Sequence, residues 1–357
     1  VNAGRLMKLA GIALVVFAIT GVVTLGFAWQ RYENFLSQPL ETREESLTLR
    51  VQPGESVSAV LQRLERQGVT RFDWRWRLLL RREPATIQVG EYAIDSGMGP
   101  RELLARLASG DVIQYRFTLV EGWNYRQLVA ALLAEERLAV APERLDPVVV
   151  SSALEIYSQH PEGWFLPETY AYTAEDDAFT VLQRAHDAMR TALDAAWAAR
   201  LDDLPLDSPY EMLILASIVE KESALASERP DIAGVFVRRL QQNWRLETDP
   251  TVIYGMGERY DGNIRRRDLR ENTPYNTYVH RGLPPTPIAM PGVGALQATA
   301  RPADGAAMFF VADGQGGHVF SETLEDHNRA VRDLVRRQRG ETTGSDVDGD
   351  QRGGGAP

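Results

Sequence analysis

The residues best placed to do chemistry are two carboxyls, Glu220 and Glu222, at the end of an almost unbroken apolar run. From Met212 to Val219 every residue except Ser217 is apolar. A helix hydrophobic nearly all round is a buried, central element. A carboxyl partly desolvated at its end has its pKa raised from about 4.3 toward roughly 6, so it donates a proton near neutral pH and then recovers one. Ala216 and Ser217 are small and leave space beside Glu220, one turn on, whereas Glu222 falls on nearly the opposite side. The pair therefore cannot supply the two facing carboxyls, about 5 to 5.5 Å apart, of a retaining glycosidase. A single acid/base, Glu220, is the candidate, with solvated helix-end acids as the plainer alternative that periodicity leaves open. Metal chemistry has little support, because the chain has no cysteine and its five histidines form no HxH or HxxxH pair. A net charge of −10 argues against a nucleic-acid partner.

The start of the helix carrying these acids is well signalled. Ser208 suits the N-cap, Pro209 the first helical position, and Glu211 completes a capping box. Downstream, Asp249-Pro250-Thr251 opens a short helix bearing Tyr254, residues 275–278 cluster in a loop, and Leu283 to Pro291 is Pro-rich and stiff. Glu168 is a runner-up acid, but its PETY setting reads as an irregular loop, a poorer place to hold a proton donor. His318 follows Gly316-Gly317 in a hairpin between strands at 308–312 and 319–321. His327 lies in a terminal helix whose Val331 and Leu334 face the core. Either histidine could orient a cleft group, the commoner role being a structural hydrogen bond. Arg265, Arg266, Arg267 and Arg270 form a basic cluster, read as a solvated face, with contact to acidic peptides as the alternative.

The N-terminal third is organised differently. Residues 9–29 are 21 uncharged residues, about 31 Å as a helix, which matches the hydrocarbon core of a bilayer. Arg5 and Lys8 precede the run, Arg31 follows it, and Trp29 and Tyr32 fall where an aromatic belt lies. The reading is a cytoplasmic tail at 1–8, a single transmembrane anchor at 9–29 and a linker at 30–45. A cleaved signal peptide is the alternative, with Gly26-Phe27-Ala28 imitating its site, but the run is too long for one. Residues 46–112 then read as strand, two helices and strand, plus a further short helix closed by Gly110. This order resembles the LysM family of glycan-gripping modules. Three stretches, beginning at Leu47, Glu91 and Arg116, each repeat strand, Gly turn, polar cap and helix. Residues 113–340 read as one larger α+β domain, and 341–357 as a disordered polar tail. The fold class is thus α+β with one N-terminal transmembrane helix, a small LysM-like subdomain and a larger α+β catalytic domain.

Several long segments in order resemble the endolytic murein transglycosylases, the YceG-like family: EGWFLPETYAY from Glu162, ASIVEKESALASERPDIAGVFVRRL from Ala216, RLETDPTVIYGMGERYDG from Arg245, ENTPYNTYVHRGLPPTPIAMPG from Glu271 and FFVADGQGGHVFSETLEDHNRAV from Phe309. The resemblance spans roughly Glu121 to Val331. It implies that Glu220, first acid of VEKE, is catalytic and that Glu222 is a supporting acid on the substrate side or a structural neighbour. It further implies cleavage of the β-1,4 bond between N-acetylmuramic acid and N-acetylglucosamine in nascent peptidoglycan strands, leaving a 1,6-anhydro end without consuming water. Hydroxyls and amides that read sugar oxygens would then include Tyr254, Asn276 and Thr277, for which turn and cap chemistry is the alternative. No metal and no cofactor is implied. The expected partners are peptidoglycan glycan strands, the membrane and peptidoglycan synthases, at the periplasmic face of the inner membrane with the N-terminus cytoplasmic. Arg301-Pro302 replaces the family's usual His-Pro, and Arg301 is read as a helix-end residue. Two other classes stay open: a noncatalytic glycan-binding scaffold and an ordinary glycan hydrolase.

Overall fold

Residues 3–42, 45–138, 140–156, 158, 160–223 and 225–338 are described in the computed structural model of the chain. The tail expected at 341–357 lies outside them. The chain forms two compact units, Val1–Arg116 with Ala171–Asp176, and Phe117–Tyr170 with Asp177–Pro357.

In the first unit, α1 (Ala3–Ser37) is long and apolar enough to cross a bilayer. It does not stop at Trp29: nothing between Trp29 and Ser37 breaks a helix, and Tyr32 and Phe35, three residues apart on one face, are 2% and 5% exposed. The Phe35 ring meets Trp76 edge-on at 5.3 Å. Residues 30–37, expected as linker, are therefore helical and contribute to a core. That core is built on β1 (Ser46–Val51), α2 (Val57–Arg66), α3 (Trp74–Arg82), β2 (Gly90–Asp95) and α4 (Pro100–Ser109). β1 and β2 pair antiparallel from Ser46↔Asp95 to Val51↔Gly90. Alternation along them sends Leu49, Val51, Tyr92 and Ile94 inward. The helices add Leu61, Leu64, Trp76, Leu79, Leu103 and Leu107.

Along the chain, β3 (Tyr115–Thr118) leads into the second unit and α5 (Tyr125–Ala134), then α6 (Pro147–Ala153), β4 (Thr169–Tyr172), α7 (Ala178–Ala198), α8 (Pro209–Glu222), α9 (Arg229–Gln241), α10 (Asp249–Met256), α11 (Val293–Ala300), β5 (Phe309–Ala312), β6 (His318–Ser321) and α12 (Leu324–Gln338). α8 is the central element: α7, α9, α10 and α11 all pack on it, and every residue from Met212 to Glu220 is buried. β5 and β6 form the expected hairpin, Phe309↔Ser321 to Ala312↔His318. Val331 and Leu334 on α12 are only half-buried.

The threefold echo is structural. β1, β2 and β3 each lead through a glycine with positive φ (Gly54 at 77°, Gly97 at 102°, Gly122 at 75°) to a helix. Such angles suit a residue without Cβ. Ser56 and Asn124 cap α2 and α5 through their side chains, while α4 starts at Gly99 without a side-chain cap. The third copy differs from the first in its surroundings. Gly54 faces open space, whereas a methyl on Gly122 would lie 3.6 Å from Lys221 Cδ and 4.0 Å from Glu220 Cγ.

Candidate active site

The cap of α8 is close to the sequence pattern but not identical to it. The Glu211 amide donates to Ser208 Oγ at 3.3 Å, while the Glu211 carboxylate accepts from the Asp207 amide at 2.7 Å, one residue before the position a capping box uses. Ser217, expected to leave space, is instead a strut: its hydroxyl donates to Ile214 O at 2.7 Å and accepts from the Ile288 amide at 3.0 Å. This ties the Pro-rich 283–291 loop to the helix. The same loop is held on its other side, where the Gly122 amide donates to Met290 O at 2.9 Å and the Met290 amide donates to Trp123 O at 2.7 Å.

Those ties bring the Gly292 amide onto Glu220, which Arg229 of α9 also reaches. Its Oε2 accepts from the Gly292 amide at 3.0 Å, and its Oε1 accepts from Arg229 Nη2 at 2.9 Å. The same Nη2 donates to Glu121 Oε2 at 3.1 Å. Two glycines make room, since a Cβ on Gly292 would collide with Glu121 Oε1 and one on Gly294 would sit 2.5 Å from Arg229 Nη1. Burial pushes the Glu220 carboxyl above the usual carboxylate range, and the charge of Glu121 pushes the same way; the Gly292 amide and the Arg229 cation oppose both. Because Glu121 and Glu220 share one nitrogen, their nearest oxygens lie within about 6 Å of each other. Glu121 was not singled out from the sequence; its neighbour Gly122 was visible only as a turn.

Glu222 turns to the other side of α8. Thr248 Oγ1 donates to its Oε1. Burial raises its pKa and the Thr248 hydroxyl opposes the rise. The structure thus separates the two acids as the helical spacing requires.

A cleft of about 880 Å³ opens beside this region, lined by Gly122, Tyr125, Glu162, Lys221, Tyr254 and Ile288 among others. Lys221 Nζ donates to Gly122 O at 3.2 Å, closing the wall next to Glu220. Glu162 is a second group that the sequence did not single out. It is 2% exposed, accepts from the Tyr125 amide at 2.9 and 3.1 Å, and accepts from the Tyr254 hydroxyl at 2.9 Å. Burial drives its pKa up to about 7, against the Tyr125 amide, the Tyr254 hydroxyl and the Gly163 amide. The available signal was an acid set between Pro161 and Gly163-Trp164-Phe165, a polar residue in a stretch that otherwise reads as core. Tyr254, an expected sugar reader, does line the cleft, but its hydroxyl is committed to Glu162; burial, then the Glu162 charge, raises its own pKa.

Asn276 and Thr277 are 1% and 2% exposed. The Asn276 amide donates to Asp268 O and Glu271 O at 3.1 and 2.7 Å and accepts from the Tyr278 amide at 3.0 Å. Thr277 Oγ1 bonds Thr251 Oγ1 at 2.8 Å and accepts from the Thr248 amide at 3.1 Å. The polar arms of both side chains are engaged inside the protein, in building the loop. Tyr278, beside them, donates to Asp249 at 2.7 Å. His318 Nδ1 lies 2.7 Å from Glu228, whose carboxyl this contact holds below the usual range. His327 stacks on Phe309. Glu168 is exposed. Arg301 is the C-cap of α11, and its side chain donates to Ala199 O at 3.2 Å, at the end of α7. In the basic cluster, Arg265 pairs with Asp261 and Arg267 with Asp268, and Arg266 and Arg270 are exposed.

With this geometry in place, the chain belongs to the YceG-like family, whose model matches residues 49–333. A Bacillus subtilis protein named endolytic murein transglycosylase is 27% identical over 84% of this chain and 88% of its own length. A Streptococcus pneumoniae protein of the same name is 24% identical over 81% of this chain; here the chain spans only 58% of the relative's length. The crystal structure of a yceG-like protein from Listeria monocytogenes matches 80% of this chain and 99% of its own, at 26% identity and a TM-score of 0.53.

Proposed function

We propose that this chain is a membrane-anchored endolytic lytic transglycosylase of peptidoglycan, cutting the β-1,4 bond between N-acetylmuramic acid and N-acetylglucosamine within nascent strands and so ending their elongation. The observation that carries the reading is Glu220: one carboxyl, kept partly dry, fixed on the most buried helix of the unit and held between Arg229 and the Gly292 amide. In its protonated form it gives its proton to the departing glycosidic oxygen as the bond from C1 to that oxygen breaks. The sugar's N-acetyl group shares the charge that develops at C1. The Glu220 carboxylate then takes the proton of the C6 hydroxyl, whose oxygen closes on C1 to form the 1,6-anhydro ring. Proton and electron pairs balance without water. A positioned acid/base of this kind contributes about 10² to 10⁴ in rate. Glu222, Asn276 and Thr277 hold the loops behind the site, and Tyr254 presents its ring to the cleft as a face for a pyranose. The strand–helix–helix–strand order of the first unit supports a LysM-like module that grips glycan, and α1 supports a single span with its N-terminal side cytoplasmic and the remainder periplasmic, where synthases elongate strands.

One observation favours a second reading. Glu121 shares Arg229 with Glu220, and a second carboxyl within about 6 Å is what a retaining hydrolase uses. The product separates the readings. The full chain in detergent is incubated with purified glycan strands and the new ends are identified by mass. Anhydro ends are expected. Reducing ends would establish a hydrolase instead, and binding without cleavage a scaffold.

A further inference from the structure

We infer that the C-terminal end of α3 is a docking point for the headgroups of anionic phospholipids in the bilayer that holds α1. This rests on the anchor reading above and goes beyond it. α3 reads WRWRLLLRR, and its arginines are not equivalent. Arg75 is bound by Asp73 at 2.8 Å, whereas Arg77, Arg81 and Arg82 are exposed and make no ion pair with any acid among the described residues. In a chain of net charge −10, three unneutralised cations on nine residues of helix are a local reversal of sign.

Their height relative to α1 follows from two contacts. The Arg82 guanidinium lies over the Trp29 ring at 5.1 Å, and the Arg75 guanidinium over the Phe35 ring at 5.0 Å. Trp29 and Phe35 are six residues apart, about 9 Å along α1, and Arg75 and Arg82 are seven apart, about 10 Å along α3. The two helices therefore run alongside in opposite senses, and α3 points its C-terminus toward the apolar stretch. Trp29 ends that stretch. An indole at this position lies at the headgroup level, so Arg82, stacked on it, and Arg81 beside it lie in the same layer, with Arg77 about one turn farther out. Being more than 40 residues from the apolar run in sequence, these cations fall outside the short flanks whose positive charge decides orientation. They reach the surface only when the unit has folded against α1.

Each such cation near an anionic surface is worth about fivefold in lipid preference at low salt. The test places the full chain in bilayers of phosphatidylcholine containing spin-labelled phosphatidylglycerol or spin-labelled phosphatidylcholine, and compares the fraction of each lipid held immobile by the protein. Phosphatidylglycerol is expected to be favoured several-fold at low ionic strength. The preference should fall sharply in Arg81→Glu/Arg82→Glu and in Arg77→Glu/Arg81→Glu, which leaves the Trp29 contact in place, and persist in Arg81→Lys/Arg82→Lys. Equal restriction of both lipids, or a preference that the Glu variants leave unchanged, overturns the proposal. Because the chain lacks cysteine, a nitroxide on Ile19→Cys reports the anchor separately. A label in contact with water there ends the anchor reading, while a label deep in hydrocarbon together with no lipid preference ends this inference alone.

Discussion

Two carboxyls in the second unit are pushed toward protonation by the same cause and restrained by different ones. Glu220, at the end of α8, and Glu162, in the loop before Gly163, both lose water on folding. Glu220 faces a permanent cation, Arg229, that a second acid partly neutralises. Glu162 faces neutral donors, the Tyr125 and Gly163 amides and the Tyr254 phenol. A cation can be drawn off by a ligand or a rival acid and so lets a carboxyl change charge during a reaction cycle. Neutral donors stitched into α5 and α10 hold a carboxyl still. On the proposed reading Glu220 transfers the proton, and Glu162 is a positioning residue that ties the first turn of α5 to Tyr254 across the cleft.

The sharpest way to break this division is Glu220→Gln. It is expected to cut anhydro-end formation by about 10² to 10⁴ with the circular dichroism spectrum unchanged; activity near the parent level would remove Glu220 from the chemistry. Glu162→Gln should cost far less activity, about tenfold, and show itself in stability. The folded pKa of Glu162, about 7, lies above its unfolded value near 4.3. Stability from this group is therefore complete below about pH 4.3 and is lost as pH rises through 7, to the extent of roughly 4 kcal/mol. Denaturant titrations between these limits should show the parent losing stability relative to Glu162→Gln; parallel curves would mean that Glu162 is hydrated. Tyr254→Phe leaves the carboxyl one donor short. It should destabilise the fold by about 1 to 2 kcal/mol and move the Glu162 transition upward, read by the carboxyl shift in NMR. The smallest change belongs to Glu121→Gln. Removing a negative neighbour lowers the Glu220 pKa, so the alkaline limb of the rate profile, where the acid form is lost, should move to lower pH with product formation retained. Complete loss of cleavage in this variant would instead make Glu121 a direct participant and favour hydrolysis.

How legible these groups were in the sequence depended on how local their cause was. α8 could be read because its cap, its Pro209 and its apolar run are contiguous, and the separation of Glu220 from Glu222 is a property of helical spacing alone. Glu162 was hidden because its partners Tyr125 and Tyr254 stand 37 and 92 residues away. Asn276 and Thr277 show the converse: side chains of a kind that suits sugars also serve a buried loop, which uses them on its own backbone. The apolar run ends at Trp29 but α1 continues to Ser37, because hydropathy marks only where the uncharged stretch stops, while the helix ends where Tyr32 and Phe35 have finished packing.

The division of the chain has a practical outcome for anyone dissecting it. The first unit reclaims six residues, Ala171–Asp176, after the polypeptide has left it at Arg116. Glu175 is tethered there to Arg50 at 3.3 Å, and the Tyr172 ring lies 5.6 Å from that of Tyr115. Deleting the first 116 residues does not excise a finished module. It orphans this short detour and uncovers Tyr172, which is 2% exposed when at home. A shortened version begun at Phe117 should aggregate or melt early for reasons unrelated to catalysis, and its inactivity would say nothing about Glu220.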